Sequence, residues 1–343
     1  MRYWRFLVAE LAFITLLLQG CGRKDQPHQP PAEVRFGYLA NVTQSQAVLG
    51  VYSGDLSAAV KPSVLSPKLF KAGPSMIEAL LAGQIDIGYV GPGPVLNAHL
   101  RTRGQGIRVL AGAAANGVVI VARDGSHIHT MNDLKGKRIA TPQHGNTQDI
   151  AARHYVTAVL GEADSHDVLP IPNAEQAGMM SRGQIDAAWV PEPWGARLIA
   201  EAHAHAIAQE KDLWPGHAFA LTLVVTTPQF LQDHPEVVRR VLDVHETWTR
   251  RLQRDPMKYV PSLEAALRSA TGRALPAGVL AQSIGHVRFL DDPLPDTLRT
   301  MSDWAYELEF APRPVNLANL IDMRILRSVK GANDSIAQTS EEP

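Results

Sequence analysis

Three short segments carry the side chains with chemical potential. Thr141-Pro142-Gln143-His144-Gly145-Asn146-Thr147-Gln148-Asp149 sets a glycine and an Asn/Thr pair at the start of an expected helix, just after an expected strand. A helix start offers unsatisfied N–H donors and about half a positive charge. Gly145, Asn146 and Thr147 are therefore candidates to hold a sulfonate, carboxylate or phosphate without a lysine. A plainer role is also open to them, with Asn146 capping the helix and Asp149 completing the box. Pro191-Glu192-Pro193-Trp194 holds a carboxylate between two prolines, so Glu192 could meet an amine, a hydroxyl or a ring N–H, or simply cap the next helix. Trp189 and Trp194 would add flat apolar walls. In Gly91-Pro92-Gly93-Pro94, glycines at 91 and 93 allow close backbone approach, and Pro94 suits the first turn of a helix.

Enzymatic signatures are weaker. His127-Ile128-His129 and His203-Ala204-His205 would each put two imidazoles on one strand face, a spacing a metal can use, but neither has a third ligand nearby in sequence. The chain holds no GxSxG elbow, no HExxH and no GxxxxGK[ST]. No metal, no cofactor and no catalytic residue is expected.

The elements that must position these segments are written twice. Gly83-Gln84-Ile85-Asp86 recurs as Gly183-Gln184-Ile185-Asp186, each copy leaving a helix-compatible stretch and entering an apolar run that ends in Tyr89-Val90 or Trp189-Val190. Strands are expected at Val34–Leu39, Val64–Phe70, Ile85–Val90, Arg108–Ala114, Val118–Val121, Arg138–Ala140, Val168–Ile171 and Ala220–Thr226, with helices between most of them. Thr43 with Gln46, and Asp233 with Glu236, are spaced as capping boxes. From Gln229 the pattern is helical, with Val238, Val241, Leu242, His245, Trp248 and Leu252 on one face. This grammar predicts an α/β protein of two lobes, 34–122 plus 219–327 and 123–218, with a helical C-terminal segment and a disordered tail over 328–343. In open α/β sheets ligands bind beyond the carboxyl ends of the strands, which selects the turns after Leu39, Val90, Thr141 and Val190.

The N-terminus reads as export. Arg2 and Arg5 precede an apolar stretch, Leu11 to Leu18, too short to span a bilayer, and Leu18-Gln19-Gly20-Cys21 has the form of a lipobox. Residues 1–21 are thus expected to be a lipoprotein signal peptide with lipid on Cys21, followed by a polar, proline-containing tether over 22–33. Cys21 is the sole cysteine, which excludes an internal disulfide. With 33 Lys plus Arg against 34 Asp plus Glu there is no net field for nucleic acid or an anionic bilayer, so any anion specificity must be local.

Together the paired GQID units, the ATPQHGNTQD turn and PEPW resemble the solute-binding proteins of bacterial importers for nitrate, sulfonate and taurine, the aliphatic-sulfonate-binding type especially, over about Val34 to Arg313. The resemblance implies a two-lobed class II periplasmic binding protein fold. It further implies a small anionic solute, most readily a sulfonate, with ABC permease and ATPase subunits as partners. A monomer anchored by lipid on the periplasmic face of a membrane would be the working form. It places ligand contacts on Asn41 and Gln44, on Gly91 and Gly93, on Gly145, Asn146 and Thr147, and on Glu192. The alternative is a pyrimidine-precursor binding protein or a synthase-like enzyme on the same fold.

Overall fold

A computed structural model of the chain describes residues 29–340, with side-chain environments through residue 333. The expected signal segment, Cys21 and most of the expected tether lie outside the described residues. Eleven strands are found: β1 Glu33–Leu39, β2 Val64–Phe70, β3 Ile87–Val90, β4 Arg108–Asn116, β5 Val118–Arg123, β6 Ile139–Thr141, β7 Val168–Pro170, β8 Ala187–Pro191, β9 Ala204–Gln209, β10 Ala220–Thr226 and β11 Val287–Phe289. The helices of the first half are α1 Ser45–Tyr52, α2 Asp55–Ala59, α3 Gly73–Leu81 and α4 Pro92–Arg101. Those of the second lobe are α5 Thr147–His154, α6 Asn173–Ser181 and α7 Trp194–Glu201. The C-terminal part holds α8 Pro228–Asp233, α9 Pro235–Arg254, α10 Val260–Thr271, α11 Val279–Ile284, α12 Pro295–Glu307 and α13 Arg324–Ser340.

The strands form two mixed sheets, ordered β2-β1-β3-β10-β4-β11 and β7-β6-β8-β5-β9. Apart from β11 the second order repeats the first, and in each sheet the last strand of a parallel trio pairs antiparallel with the strand that crosses from the other lobe. The duplicated sequence unit is thus a duplicated supersecondary unit. The chain first changes sheets at Gly117, where φ is +76°, and returns before β10. Val118 to Ala122 consequently belong to the second sheet. A short glycine turn suffices to pass between sheets.

Each letter of the repeated motif has a structural cause. Gly83 and Gly183 have φ of +68° and +67°, a conformation that favours glycine, and each ends a helix. The next residue closes the turn, Gln84 N–H to Ala79 O at 2.8 Å and Gln184 N–H to Met179 O at 2.9 Å, the bond that satisfies a late helical carbonyl. Ile85 and Ile185 are buried. Asp86 accepts from the Arg35 backbone N–H at 2.7 Å and from its Nε at 2.9 Å; Asp186 does the same for Arg138, at 3.1 and 2.9 Å. Both arginines also donate to the motif glycine's carbonyl. Burial raises the Asp186 carboxyl, but the hydrogen bonds and charge of Arg138 outweigh it and hold the group below its usual range.

A continuous apolar cluster joins the two lobes, running from Val95 and Leu223 through Ile120 and Trp189 to Leu298 and Met301. The predicted α9 face is buried at all six positions. Neither expected capping box forms: Gln46 instead donates to Ala113 O at 2.7 Å, and Asp233 accepts from Gln229. Of the expected tail over 328–343, residues 328–340 are described as helix. They lie in α13, which buries Leu326 and Val329 and ties Asn333 to Asp243 at 3.1 Å. Those two apolar side chains, one helical turn apart, seat the first part of that helix.

Replacing Asp86 or Asp186 by alanine is expected to cost about 1–2 kcal/mol each, because a bidentate, charge-assisted pair and a backbone bond are lost together; urea unfolding of the two variants measures it. Glu210 is fully buried, accepting from the indole Nε1 of Trp189 and of Trp214. Burial pushes its carboxyl from 4.5 up to about 7, against the two indole bonds. Below pH 4.5 this contribution to stability is complete, and it is lost as pH rises towards 7, because only the unfolded chain ionises in that window. The slope is about 1.4 kcal/mol per pH unit. Glu210→Gln should flatten that slope in unfolding measured from pH 4 to 8.

Candidate functional site

The carboxyl ends of the parallel strands in the two sheets face a shared cleft, and the turns that follow them line it. Two connected chambers result. The inner one, about 40 Å³, is lined from the first lobe by Asn41, Thr43, Gln44, Lys71, Gly91 and Thr222, and from the second by Asn146, Thr147, Gln148 and Asn173. The outer one, about 450 Å³, opens past Leu39, Asn41, Lys71 and Asn173, which belong to both.

The inner chamber has a directional polarity. Asn41 Oδ1 accepts from Trp194 Nε1 at 3.0 Å, and Gln44 Oε1 from the Leu39 N–H at 2.7 Å. Asn146 Oδ1 accepts from the Asp149 N–H at 2.9 Å, so its amino group donates to Gln148 Oε1 at 3.1 Å. Gln176 donates to the Ile171 carbonyl, so the same amino group donates to Asn173 Oδ1 at 3.3 Å. Indole and backbone partners are unambiguous, and each chain of bonds fixes which end of the amide is oxygen. Asn41, Gln44, Gln148 and Asn173 therefore have their acceptors engaged and their amino groups left as donors. Lys71 adds the positive charge, and has no ion-pair or hydrogen-bond partner among the described residues. At the start of α5 the N–H groups of Thr147 and Gln148 have no intrahelical acceptor. Such a set favours an acceptor-rich, negatively charged group.

Of the residues singled out in the sequence, Asn41, Gln44, Gly91, Asn146 and Thr147 line this chamber. The others are placed differently. Gly145 does not reach it; at φ +72° its N–H is directed to Asp149 Oδ2 at 2.9 Å. Asp149 in turn binds Thr141 Oγ1 at 2.8 Å and Arg153 Nε at 3.0 Å, so the carboxylate is balanced locally and leaves the helix start free to act on an anion. Gly93 gives its N–H to Thr147 Oγ1 at 3.2 Å, across the lobes. Trp189 lies in the core, held by Glu210, because its position on β8 directs the ring away from the cleft.

Glu192 is the larger correction. It is buried, at 1% exposure, and turned away from both chambers. Its Oε2 accepts from the Ala196 N–H at 3.1 Å and from Ser283 Oγ at 3.2 Å, and its Oε1 meets His286 Nδ1 at 2.7 Å. Ser283 and His286 come from the C-terminal part of the chain, at α11, so Glu192 ties the second lobe to the first. A carboxylate this deep needs such partners, and the short proline turn leaves it no other outlet.

Lys71, Thr43, Gln148, Asn173 and Thr222 were not chosen from the sequence. Lys71 directly follows β2, and Asn173 lies three residues past β7. The strand-end rule that selected four turns applies equally to these two. Of the paired histidines, His205 bonds Asp124 and the Ile128 carbonyl and stacks on His129. Among the described residues no group of three or more His, Cys, Asp or Glu side chains gathers as a metal site.

A model of the NMT1-like family matches residues 27–259. The chain belongs to that family. A putative binding protein of Brucella abortus (strain 2308) is 27% identical to this NMT1-like chain over 184 residues, 52% of the chain and 54% of the relative; the chain spans about half that relative's length. The taurine-binding periplasmic protein of Escherichia coli (strain K12) is 27% identical over 240 residues, 68% of the chain and 67% of that protein. Among solved structures, the alkanesulfonate-binding protein SsuA from Xanthomonas axonopodis pv. citri superposes with a TM-score of 0.72 at 24% identity, covering 86% of this chain and 99% of that one. The periplasmic nitrate-binding protein NrtA from Synechocystis PCC 6803 gives 0.73 at 12% identity, covering 88% and 89%. A DszB structure with biphenyl-2-sulfinic acid gives 0.59 at 16% identity, covering 88% and 99%. This NMT1-like chain therefore has the two-lobed α/β periplasmic binding protein fold expected from its sequence.

The lobes touch at Gly91, where a Cβ would sit 2.4 Å from Thr147 Oγ1. Gly91→Ala is expected to hold the cleft ajar, raising the radius of gyration in small-angle scattering and lowering affinity for a cleft ligand about tenfold, or ~1.4 kcal/mol. Unchanged scattering and affinity would show that Thr147 simply rotates away.

Proposed function

We propose that this protein is the solute-binding component of an ABC importer, capturing a small anion, most readily a sulfonate, between its lobes. The observation that carries this reading is the inner chamber's polarity: four side-chain amides offering only donors, an unpaired lysine and a helix start, all converging on one small space. The sulfonate and taurine names of its relatives support the choice of head group. Capture requires that the closed form be preferred only with solute present, since equal affinity for open and closed forms would shift nothing. Here closure brings Asn41 and Lys71 against Asn146 to Gln148, so the solute completes contacts that neither lobe makes alone. Glu192 with His286 and Ser283 steadies the closed form from outside the chamber.

The partners on this reading are an ABC permease and ATPase, and the working form is a monomer held by lipid on Cys21 at the periplasmic face of a membrane. Among the described residues no helix is long and apolar enough to cross a membrane. Binding without turnover is supported by the chamber lining, where the groups present donate hydrogen bonds and Lys71 is the one titratable side chain.

Ligand screening by thermal shift against sulfonates, nitrate, carboxylates and thiamine precursors tests the reading, because selective binding raises the folded population by mass action. Anionic sulfonates are expected to raise Tm and uncharged pyrimidines to leave it unchanged. Lys71→Gln should weaken sulfonate binding about tenfold or more, or ~1.4 kcal/mol, with the loss reduced at high salt. Undiminished binding by that variant removes the anion assignment, and turnover of any compound removes the binding role.

A further inference from the structure

Among the amides of the inner chamber, Asn41 alone is oriented from the opposite lobe. Gln44 is set by the Leu39 N–H, Gln148 by Asn146 and Asn173 by Gln176, each within its own lobe, whereas the Asn41 oxygen is held by the indole of Trp194 on α7. The Asn41 backbone is pinned on both sides, its N–H donating to the Leu39 carbonyl at 2.9 Å and its carbonyl accepting from the Gln44 N–H at 3.0 Å. What remains to be set is which end of the amide faces the chamber. The two ends are nearly equal in size, so packing does not choose between them; an indole N–H, which can only donate, does. Asn41 is buried, and its amino group has no partner among the described residues. A buried donor of this kind calls for an acceptor brought by the solute.

Trp194 is in turn held by its own lobe. Gly195 lies flush on β5, where a Cβ would sit 1.8 Å from Val119 Cγ1, and Glu192 takes the Ala196 N–H at 3.1 Å. The Arg197 guanidinium stands 5.3 Å from the indole centroid and is tied to Glu201 at 2.7 Å, so a fixed cation covers the ring. Trp194 lines the outer chamber, beside Leu69 and Phe70, and not the inner one.

We propose that Trp194 is a positioning residue for selectivity: its indole N–H keeps the Asn41 oxygen out of the inner chamber, so that the amino group meets the anion. Turned over, the same amide would set an acceptor oxygen against a negative group, and a favourable bond would become a repulsion. This role rests on the anion-binding reading above, and it gives one lobe control over the sign of a contact made by the other.

Calorimetric titration of the full chain with methanesulfonate and benzenesulfonate, each beside its uncharged sulfonamide, tests the assignment. Sulfonate and sulfonamide share a body, so their affinity ratio reports the hydrogen-bonding sign at the head while changes in packing cancel. Trp194→Phe keeps an aromatic ring and removes the N–H, and should lower that ratio about tenfold or more. In an Asn41→Ala background, where the amide is gone, adding Trp194→Phe should move the ratio by less than about twofold, the non-additivity of residues that act through one another. Trp194→Leu repeats the cycle should the first variant show a lowered unligated Tm. An unchanged ratio in the single variant, or an equal fall in both backgrounds, would overturn the positioning role and leave the anion site standing. Failure of the unaltered chain to bind either sulfonate would instead refute the anion site on which the role rests.

Discussion

Everything in this molecule hangs on an aspartate gripping an arginine of the neighbouring strand, once per lobe. Asp86 with Arg35, and Asp186 with Arg138, lock the end of a helix, a glycine turn and two parallel strands into one joint. Because the joint is fixed, the carboxyl ends of β1 and β3 in one sheet, and of β6 and β8 in the other, present their turns at a set height. A one-residue slip in either strand would turn every side chain to the opposite face. The twin motif thus acts at a distance from the cleft, fixing the strands whose ends line it.

The same economy appears in how the lobes meet. Contacts between them fall into two classes that sit in different places. Apolar packing between α4, α5 and α12 joins the lobes in one continuous core, and polar ties gather around the chambers: Gly93 with Thr147, Trp194 with Asn41, and Glu192 with Ser283 and His286. The second class is made of single bonds between side chains and backbone of the two lobes. Those bonds are also directional. The Trp194 bond engages the Asn41 oxygen, and together with the bonds that engage the oxygens of Gln44, Gln148 and Asn173 it leaves four amide amino groups as donors at the chamber.

A division of labour between the two chambers follows from elementary solvation. A small polar chamber rewards a head group that satisfies several donors at once, and penalises one that leaves them bare, since unmet buried polar groups are costly. An apolar chamber rewards area and is indifferent to orientation.

The fold was largely legible in the chain, because hydrophobic periodicity reports on burial and burial decides elements: β1, β2, β4, β10 and the apolar face of α9 are where the pattern placed them. The repeat announced two like lobes, and the strand-end rule led to Asn41, Gln44, Gly91, Asn146 and Thr147. Tertiary structure alone decided the rest. Glu192 reads as a ligand group from its stiff proline frame, yet partners about ninety residues away at Ser283 and His286 claim it. Trp189 reads as a cleft wall, yet Glu210 draws it into the core. Lys71 was not singled out in the sequence, yet it lines the inner chamber because it directly follows β2. Local sequence records what a segment prefers to be. Which polar group is satisfied by a distant partner, and which is left open for a solute, is settled only when the chain has closed on itself.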